Sequence, residues 1–411
     1  MSRINVMQPW LGEEEVEAVA EVLRSGWVAQ GPRVAEFERR FASSQQAAHA
    51  VATSSCTTAL HLALVVAGVS PGDDVVVPSF SFIATANAAV YVGARPVFAD
   101  VSPVSGNLTA STVREALTPR TTAVIVVDQG GVPVDLDSIR KVCDPLGIMV
   151  IEDAACGAGS TYRGRPVGAG AEIAAWSFHP RKILTTGEGG MLTTSRADLA
   201  ERARKLREHA MSVSAADRHA SLVSPPESYD EVGFNFRMTD LQAAVGLVQL
   251  DRLPEVVARR RELAAVYAKS VAEIGGLRAV ADPAWGTSNF QSFWIEVGYP
   301  YGLDREGLLS ALAEAGISAR RGIMASHRQP AYASPSVSLP ATEHLTDNTL
   351  ILPLFHQISD SEQARVIDVL RQSASGDPAP SQASSSACDR KAEEGGGPGL
   401  AADRRQRSER A

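Results

Sequence analysis

The stretch WSFHPRKILTTGEGG, residues 176 to 190, places Lys182 between an aromatic and histidine run and a loop with three glycines. A lysine in this setting could be a solvated surface charge, a phosphate ligand or a nucleophile. Most lysines in glycine-rich loops are solvated charges, but a lysine amine held away from water can attack a carbonyl carbon and form a Schiff base. The loop by itself leaves all three roles open.

Asp153 ends the apolar run IMVIED, which predicts that its carboxylate lies at the carboxyl end of a buried parallel strand. A carboxylate there could keep the ring nitrogen of pyridoxal phosphate (PLP) protonated, which lets the ring accept electrons. The other interpretation is equally ordinary, because an aspartate at the end of a strand often caps the following turn.

Hydroxyl side chains precede a predicted helix in SSCTTALHLAL, residues 54 to 64. The first turn of a helix offers unpaired N–H groups, so Thr57 and Thr58 could bind a phosphate, with Ser177 as a further donor. By itself SCTT is also an ordinary helix cap, and His179 could be a packed polar residue. The GEGG run lacks the strand-GxGxxG-helix context of a dinucleotide fold and the GK[ST] ending of a P-loop, so it does not indicate NAD or ATP.

Short apolar runs alternate with helical segments in the first half of the chain. Continuous Val and Ile runs separated by helices are typical of parallel strands covered on both faces, so we predict an α/β fold with a mostly parallel central sheet. Two of the predicted strands, AAWSF and GMLTT, flank Lys182 and put it on a loop at the sheet edge. The predicted strands span residues 74 to 80, 96 to 101, 121 to 129, 147 to 155, 174 to 178 and 190 to 194, and predicted helices lie near 58 to 67, 83 to 92 and 135 to 145.

The chain divides into three predicted parts. A large domain over residues 1–250 begins with an amphipathic helix from Glu13 to Ser25, and a smaller α+β domain covers 251–373. Pro254 predicts a kink or a restart in the long helical stretch between them. Residues 374–411 have almost no large apolar side chain and are rich in Gly, Pro, Ala, Ser and charge, which predicts a disordered tail.

The composition is that of an ordinary globular protein, with 45% hydrophobic and 21% charged residues among 411. The net charge of −8 argues against nucleic acid or an anionic membrane as a partner. The four cysteines form no CxxC pair, zinc spacing or disulfide framework, so we expect no metal site and a reducing cytoplasm. We also find no export signal and no run of the roughly 20 apolar residues that a membrane span needs.

Taken in order, these motifs and several others resemble the DegT/StrS family of sugar aminotransferases, which are PLP enzymes of the aspartate aminotransferase fold, fold type I. The resemblance runs from about residue 8 to residue 370 and leaves out only the tail. The matching segments are LGEEEVEAVAEVLRSGWVAQGPRVAEFERRFA, SSCTTALHLAL, GDDVVVPSFSFIATANAAVYVGARPVFADV, VIEDAACGAGSTYRGRPVG, SFHPRKILTTGEGGMLTT, VGFNFRMTDLQAAVGLVQL and ILPLF.

The resemblance implies a role for each matching position. Lys182 would form the Schiff base with the cofactor and move the proton between cofactor and substrate, Asp153 would pair with the pyridine nitrogen, and Phe82 would stack on the ring. Asn235 would reach the phosphate of the neighbouring subunit's cofactor, so the expected assembly is a homodimer with shared active sites. The implied cofactor-binding residues are Cys56, through its backbone, Thr57, Thr58, Phe82, Asp153, Ser177, Lys182 and Asn235.

Several positions differ from what this family usually carries. Cys56 replaces a common Gly, which is tolerable where only the backbone N–H is used. Cys156 stands where a Gln or His often approaches the phenolic oxygen of the cofactor, and Arg181 replaces a frequent Thr. Asp128 and Gly130 replace a common His and Tyr. The cofactor-binding pattern is therefore kept, while the substrate-binding pattern does not transfer cleanly.

The implied reaction is an amino transfer in two stages, from L-glutamate to the cofactor and then to the keto group of a nucleotide-linked sugar, in amino-sugar biosynthesis. His179, Arg320, Arg321 and His327 are candidate ligands of the donor carboxylate or the sugar diphosphate. An equally good interpretation is that the two arginines are surface charges at a strand end.

Other functions on the same fold are alternatives to this reaction. A related dehydratase would carry His in place of Lys182, which disfavours that reaction here. Amination of a keto-cyclitol is excluded less firmly. A PLP-binding regulator without turnover is disfavoured because both Lys182 and Asp153 are present.

Overall fold

The structure is a computed structural model that describes residues 3–213, 226–334 and 337–374 of the chain. Of the predicted tail, only Ala374 is described, and it is the last residue of a helix. The remainder of that prediction, residues 375–411, lies outside the described residues.

A seven-stranded sheet forms the centre of the molecule, in the order β1-β9-β8-β5-β4-β2-β3. The pairs from β8 across to β3 are parallel, and β9 runs antiparallel to both of its neighbours. This arrangement confirms the predicted mostly parallel sheet. Its strands are β1 (His49–Thr53), β2 (Asp74–Pro78), β3 (Arg95–Ala99), β4 (Thr121–Val127), β5 (Met149–Asp153), β8 (Ile173–Ser177) and β9 (Gly190–Thr194).

Helices cover both faces of this sheet, as continuous apolar strands require. Every residue of β2 is buried, and so is nearly every residue of β4. One apolar cluster lies between the sheet and the helices α3, α4 and α7, and another lies against α2 and α8 on the opposite face. The helices up to this point are α1 (Glu13–Ser25), α2 (Pro32–Ser44), α3 (Cys56–Val66), α4 (Ala84–Tyr91), α5 (Ala110–Ala116), α6 (Leu136–Cys143), α7 (Ala197–Leu206) and α8 (Asp240–Ala272).

The sequence predicts a kink or a restart at Pro254. Helix α8 continues through Pro254 for 33 residues, so the restart is wrong, while a kink stays a prediction. A proline inside a helix removes one backbone hydrogen bond. Here Leu250, Leu253 and Val256 are buried against the same apolar cluster on both sides of the proline. The burial of these side chains compensates for the lost bond and keeps the helix in one piece.

A second, antiparallel sheet follows in the order β10-β12-β14-β13. It shares one continuous apolar core with part of the central sheet. The predicted division at residue 250 falls inside α8 and stays a prediction. The elements of this part are β10 (Leu277–Ala279), β12 (Phe293–Val297), α9 (Arg305–Glu314), β13 (Arg320–Arg321), α10 (Pro340–Asn348), β14 (Thr349–Leu352) and α11 (Asp360–Ala374).

A small third sheet ties the two parts together in the order β11-β6-β7. Its strands are β6 (Thr161–Tyr162), β7 (Arg165–Pro166) and β11 (Gly286–Thr287). Among the described helices, none combines the length and the apolar character needed to cross a bilayer.

Candidate active site

The candidate site lies where β5 and β8 end at the carboxyl edge of the central sheet. Asp153 is the last residue of β5 and aligns with Val127 of β4 and Ala175 of β8. Lys182 lies on the loop between β8 and β9, as predicted, and its backbone N–H donates to the carbonyl of His179 at 2.8 Å. The strand order therefore brings the predicted carboxylate and the predicted lysine to one place.

The side chain of Lys182 contacts a thiol, because its Nζ atom donates to the Sγ atom of Cys156 at 3.1 Å. Burial disfavours the ammonium form of Lys182. The nearby Cys156, Cys56 and Asp153 outweigh that effect and raise the pKa of Lys182 above its ordinary value. The amine is thus held among acidic groups at the floor of the site.

Asp153 is buried and receives hydrogen bonds on both carboxylate oxygens. The hydroxyl of Thr85 donates to Oδ2 at 2.9 Å and the N–H of Ala155 donates to Oδ1 at 3.2 Å. Burial raises the pKa of Asp153, although Thr85, Lys182 and Ala155 pull it the other way. A nearby cation, such as a protonated ring nitrogen, would offset the cost of burying this charge.

Thr85 is a site residue that the sequence analysis missed. It lies in the first turn of α4, and its hydroxyl is 2.8 Å from that of Ser81. The oxygen of the Ser81 backbone in turn accepts from the Ser326 hydroxyl at 3.0 Å. The sequence signal that could have identified Thr85 is its position: it is a hydroxyl residue at the start of the helix that follows β2. That helix begins at the same edge of the sheet as Asp153.

The N-terminus of α3 points its free donors at this region. The hydroxyl of Thr58 is used inside the cap, where it accepts from the Ser55 N–H at 3.0 Å, and the Ser55 hydroxyl accepts from the Thr58 N–H at 3.2 Å. Within the part of the chain that the structure describes, no acceptor is bonded to the N–H groups of Cys56 and Thr57. These two amides are available for a phosphate.

Gly190 lets β9 pass directly against the start of α3. A methyl group on Gly190 would lie 2.3 Å from the Ser55 carbonyl carbon and 2.6 Å from the Cys56 nitrogen. Ser177, at the end of β8, pairs with Gly190 across the β8–β9 ladder. The close approach places the Ser177 hydroxyl and the helix terminus on the same side of the site.

Phe82 and Asn235 lie at the surface. Phe82 is 66% exposed in the segment between β2 and α4, whereas the neighbouring Phe80 is buried. Asn235 is also exposed and forms a backbone bridge with Glu208. Their predicted roles, stacking on the ring and reaching a neighbouring subunit, stay predictions.

The two predicted arginine ligands differ in their surroundings. Arg321 donates to both carboxylate oxygens of Glu306, at 3.0 and 2.6 Å, and is exposed. Arg320 is also exposed, but it forms no ion pair among the described residues. Burial, and then the charge of Arg181, lower the pKa of Arg320.

The two predicted histidine ligands also differ. His327 is buried, with Nδ1 2.6 Å from the Ser79 hydroxyl and Nε2 3.3 Å from a carboxylate oxygen of Glu343. His179 is partly exposed, and its Nδ1 atom accepts from the Arg181 N–H at 3.1 Å. Burial lowers the pKa of His179, which favours its neutral form. Both roles as substrate ligands stay predictions, and the contacts of His327 are those of a packed residue.

Asp128 is buried close to Asp153 and Cys156. Its Oδ1 atom accepts from the Val134 N–H at 3.0 Å, and its Oδ2 atom has no partner among the described residues. Burial, and then the charge of Glu152, raise the pKa of Asp128 well above its usual range. Burial likewise raises the pKa of Glu152 to about 7.

This arrangement of groups fits PLP in its chemistry. It offers a partly buried amine for the aldehyde, a buried carboxyl with oriented oxygens for the ring nitrogen, and free N–H groups at a helix N-terminus for the phosphate. Among the described residues, no cluster of His, Cys, Asp and Glu side chains is arranged to hold a metal ion.

Comparison with known proteins places this chain among sugar aminotransferases. A model of the DegT/DnrJ/EryC1/StrS aminotransferase family matches residues 9–371. The chain is 40% identical to the aminotransferase TlmJ from Streptoalloteichus hindustanus, with a TM-score of 0.84 and coverage of 90% of this chain and 99% of that one.

Two further solved structures are of similar proteins whose ligands are known, a TDP-sugar product in one and PLP in the other. The chain is 33% identical to DesI, solved in the presence of its TDP-sugar product, with a TM-score of 0.82 and coverage of 91% and 93% of the two chains. It is 27% identical to the sugar aminotransferase Spr1654 from Streptococcus pneumoniae in its PLP form, with a TM-score of 0.84 and coverage of 91% and 99%.

Proposed function

Because the chain belongs to the DegT/DnrJ/EryC1/StrS aminotransferase family, we propose that it moves an amino group from L-glutamate to the keto group of a nucleotide-linked sugar, with PLP as cofactor. This reaction would be a step in amino-sugar biosynthesis. The observation that carries the proposal is the meeting of Lys182, Asp153 and the N-terminus of α3 at one edge of the sheet.

Residues of the candidate site would hold the cofactor at its aldehyde, its ring nitrogen and its phosphate. When bound, PLP supplies an aldehyde that condenses with amines and a ring that accepts electrons. Lys182 is the residue we propose to condense with that aldehyde, and Asp153 the residue that keeps the ring nitrogen protonated. The N–H groups of Cys56 and Thr57 and the hydroxyl of Ser177 would bind the phosphate.

Lys182 must lose its proton before it can take one from the substrate carbon. In the protein alone, acidic neighbours raise the pKa of Lys182. A cationic ring nitrogen beside Asp153 would neutralise one of those neighbours and favour the free amine. Asp153 would therefore serve both the ring and, indirectly, the lysine.

A nucleotide-linked substrate carries a diphosphate and needs cationic ligands. Arg320 and Arg181 are two exposed cations, neither of which forms an ion pair among the described residues, and the charge of Arg181 lowers the pKa of Arg320. Cations without an anionic partner of their own suit an anionic ligand. DesI, one of the relatives, was solved with its TDP-sugar product. We propose Arg320 and Arg181 as ligands of the diphosphate, and Arg321 as a surface residue that Glu306 already neutralises.

We propose a homodimer with shared active sites. Several large apolar side chains are exposed, among them Phe82, Tyr91 at the end of α4, and Val232 in the segment that carries Asn235. Exposed apolar groups of this kind mark surfaces that another chain covers. A second copy would cover them and bring its Asn235 to the neighbouring site.

The cytoplasm stays the predicted compartment, and the free thiols of Cys56, Cys143 and Cys156 suit its reducing conditions.

The proposed donor and acceptor are tested with the purified full chain. L-glutamate should shift the visible absorbance of the bound cofactor toward that of its amine form. A set of keto nucleotide sugars and a keto-cyclitol, each with glutamate, should then give an aminated product detected by mass. Lys182→Ala should abolish the absorbance shift and the product, and the exposed Lys141→Ala should change neither. Product from the keto-cyclitol alone would overturn the choice of substrate class.

The shared site is tested by mixing two inactive variants, Lys182→Ala and Asn235→Ala. If Asn235 serves the neighbouring subunit, a mixed dimer contains one site with both residues intact, and the mixture regains activity. If Asn235 acts within its own subunit, no intact site forms and the mixture stays inactive.

A further inference from the structure

Gln291 holds the two peptide groups that flank Lys182. Its side-chain Nε2 donates to the carbonyl of Arg181 at 2.7 Å, and its Oε1 accepts from the N–H of Ile183 at 3.0 Å. The side chain is only 8% exposed and bonds through both ends of its amide. A single buried side chain therefore fixes the backbone on both sides of the lysine.

Asn289 holds the segment of Cys156 in the same way. Its Nδ2 donates to the carbonyls of Cys156 at 2.7 Å and Ala158 at 2.8 Å, and its Oδ1 accepts from the N–H of Gln291 at 2.6 Å. Asn289 is fully buried. Residues 289–291 thus hold the backbone at Lys182 and at Cys156, the two residues whose side chains are in contact.

The segment that carries these two side chains is itself anchored to α8. The guanidinium of the buried Arg260 donates to the carbonyls of Phe290, at 3.0 and 2.7 Å, and Gln291, at 2.8 Å. Phe290 adopts φ of 50°, a left-handed conformation that is uncommon for a bulky residue and persists only where the surroundings enforce it. The support is therefore rigid and belongs to the part of the fold outside the central sheet.

We propose that Asn289 and Gln291 are positioning residues for the amino transfer, which set where the Lys182 amine stands relative to Cys156 and Asp153. The proposal rests on the proposed function of Lys182. Neither amide side chain contacts the reacting amine, so each acts through the backbone that it holds. A misplacement of about 1 Å at a reacting group can cost on the order of 100-fold in rate, so such support is functionally significant.

The alternative is that the side-chain amides of Asn289 and Gln291 only stabilise the fold, as other buried amides do. Gln363 offers the comparison. It is also buried, and its Nε2 donates to the carbonyl of Leu263 at 2.7 Å, in the contact between α11 and α8. Loss of either glutamine should destabilise the fold, but only loss of Gln291 should loosen the lysine loop.

The test compares Gln291→Met with Gln363→Met in the full chain, because methionine keeps the length of the side chain but makes neither hydrogen bond. The first measurement is hydrogen exchange at the Ile183 amide, with and without added PLP. Gln291→Met should speed this exchange by roughly tenfold, as expected for the loss of one or two buried hydrogen bonds, and Gln363→Met should not.

The second measurement is the steady-state rate with glutamate and the best acceptor. Gln291→Met should lower kcat by roughly 10- to 100-fold with a smaller change in KM. Gln291→Glu keeps the acceptor for the Ile183 N–H but loses the donor to the Arg181 carbonyl. Its kcat should lie between those of Gln291→Met and Gln363→Met. This variant replaces Gln291→Met in the test if Gln291→Met does not fold.

The outcomes separate this inference from the proposed function. If exchange at Ile183 and kcat change no more in both Gln291 variants than in Gln363→Met, the positioning role is wrong. If exchange at Ile183 rises but kcat stays the same, Gln291 holds the lysine loop without serving catalysis, and the proposal is equally overturned. If the unmodified chain binds no PLP and transfers no amine, the proposed function fails, and the positioning role fails with it whatever the exchange shows.

Discussion

The Nζ atom of Lys182 lies 3.1 Å from the Sγ atom of Cys156. This contact joins the segment between β5 and β6 to the β8–β9 loop, across 26 residues of sequence, and Asp153 lies close enough to act on the amine. The amine of this chain therefore has a thiol as its hydrogen-bond partner.

We predict that Cys156→Ala lowers the pKa of Lys182 in the protein without cofactor. Burial remains, while one of the groups that raise this pKa is removed. The pH profile for association with PLP, followed by visible absorbance, should therefore move to lower pH. Cys156→Ser should move it less, because serine keeps a hydrogen-bonding group, and the buried Cys143→Ala should not move it. An unmoved profile in Cys156→Ala would show that the thiol does not act on the amine.

Thr85→Val should weaken cofactor binding. It removes the hydroxyl that donates to Asp153 Oδ2 and leaves a buried carboxylate oxygen unpaired, which costs about 1–3 kcal/mol. Because Thr85 lowers the pKa of Asp153, its loss should raise that pKa further. Titration with PLP measures the affinity. Thr349→Val, which removes a buried hydroxyl that donates to the Leu345 carbonyl, should leave the affinity unchanged.

Gly190→Ala should displace the start of α3 and weaken both the fold and phosphate binding. The added methyl group would meet the Ser55 carbonyl carbon at 2.3 Å, and because the β8–β9 ladder holds Gly190, the start of α3 would have to move. Thermal unfolding and PLP titration check the result. Gly170→Ala is the control, since its nearest contact would be Leu136 at an ordinary 3.7 Å. Equal behaviour of the two variants would contradict the close approach.

Arg320→Gln should raise KM for the nucleotide-linked substrate by roughly tenfold, because a charge-assisted contact to an anion is lost. Arg321→Gln should have little effect, since Glu306 already pairs with that side chain at the surface. Initial rates over a range of substrate concentrations distinguish the two. The assignment of Arg320 to the diphosphate fails if both variants behave alike.

Asp74 should make the fold sensitive to acid. Hydrogen bonds from Arg95 at 2.9 and 2.7 Å and from Thr118 lower the pKa of Asp74 from 3.8 to about 2. A carboxylate whose pKa is lower in the folded than in the unfolded state stabilises the fold above the unfolded value and loses that contribution as pH falls. The contribution should therefore be complete above about pH 4 and vanish toward pH 2.

Urea unfolding at several pH values checks this prediction. Asp74→Asn should unfold at lower urea than the unmodified chain near neutral pH, and the difference should close as pH falls to about 2. Asp198→Asn is the control: the hydrogen bond from Arg196 also lowers the pKa of Asp198, but this pair is exposed and screened by solvent, so its loss should change stability little at any pH. A difference that persists unchanged to the acid end would mean that the effect is one of packing and not of charge.

The sequence by itself determined the central sheet, and with it the meeting of Asp153 and the lysine loop. Apolar runs such as those of β2 and β4 can be buried on both faces only as parallel strands between helices. Parallel strands end at one edge, so the residues that follow them converge there. These are local signals, read from a few consecutive residues.

Only the tertiary structure decided which distant groups support the site. Thr85 reaches Asp153, and Asn289 and Gln291 hold the backbone at Cys156 and Lys182, because strand order and the course of the later chain bring them there. Likewise Arg321 is neutralised by Glu306, while α8 runs unbroken through its proline. Hydrogen bonds and burial between remote segments depend on packing in three dimensions, which no local pattern of residue types encodes.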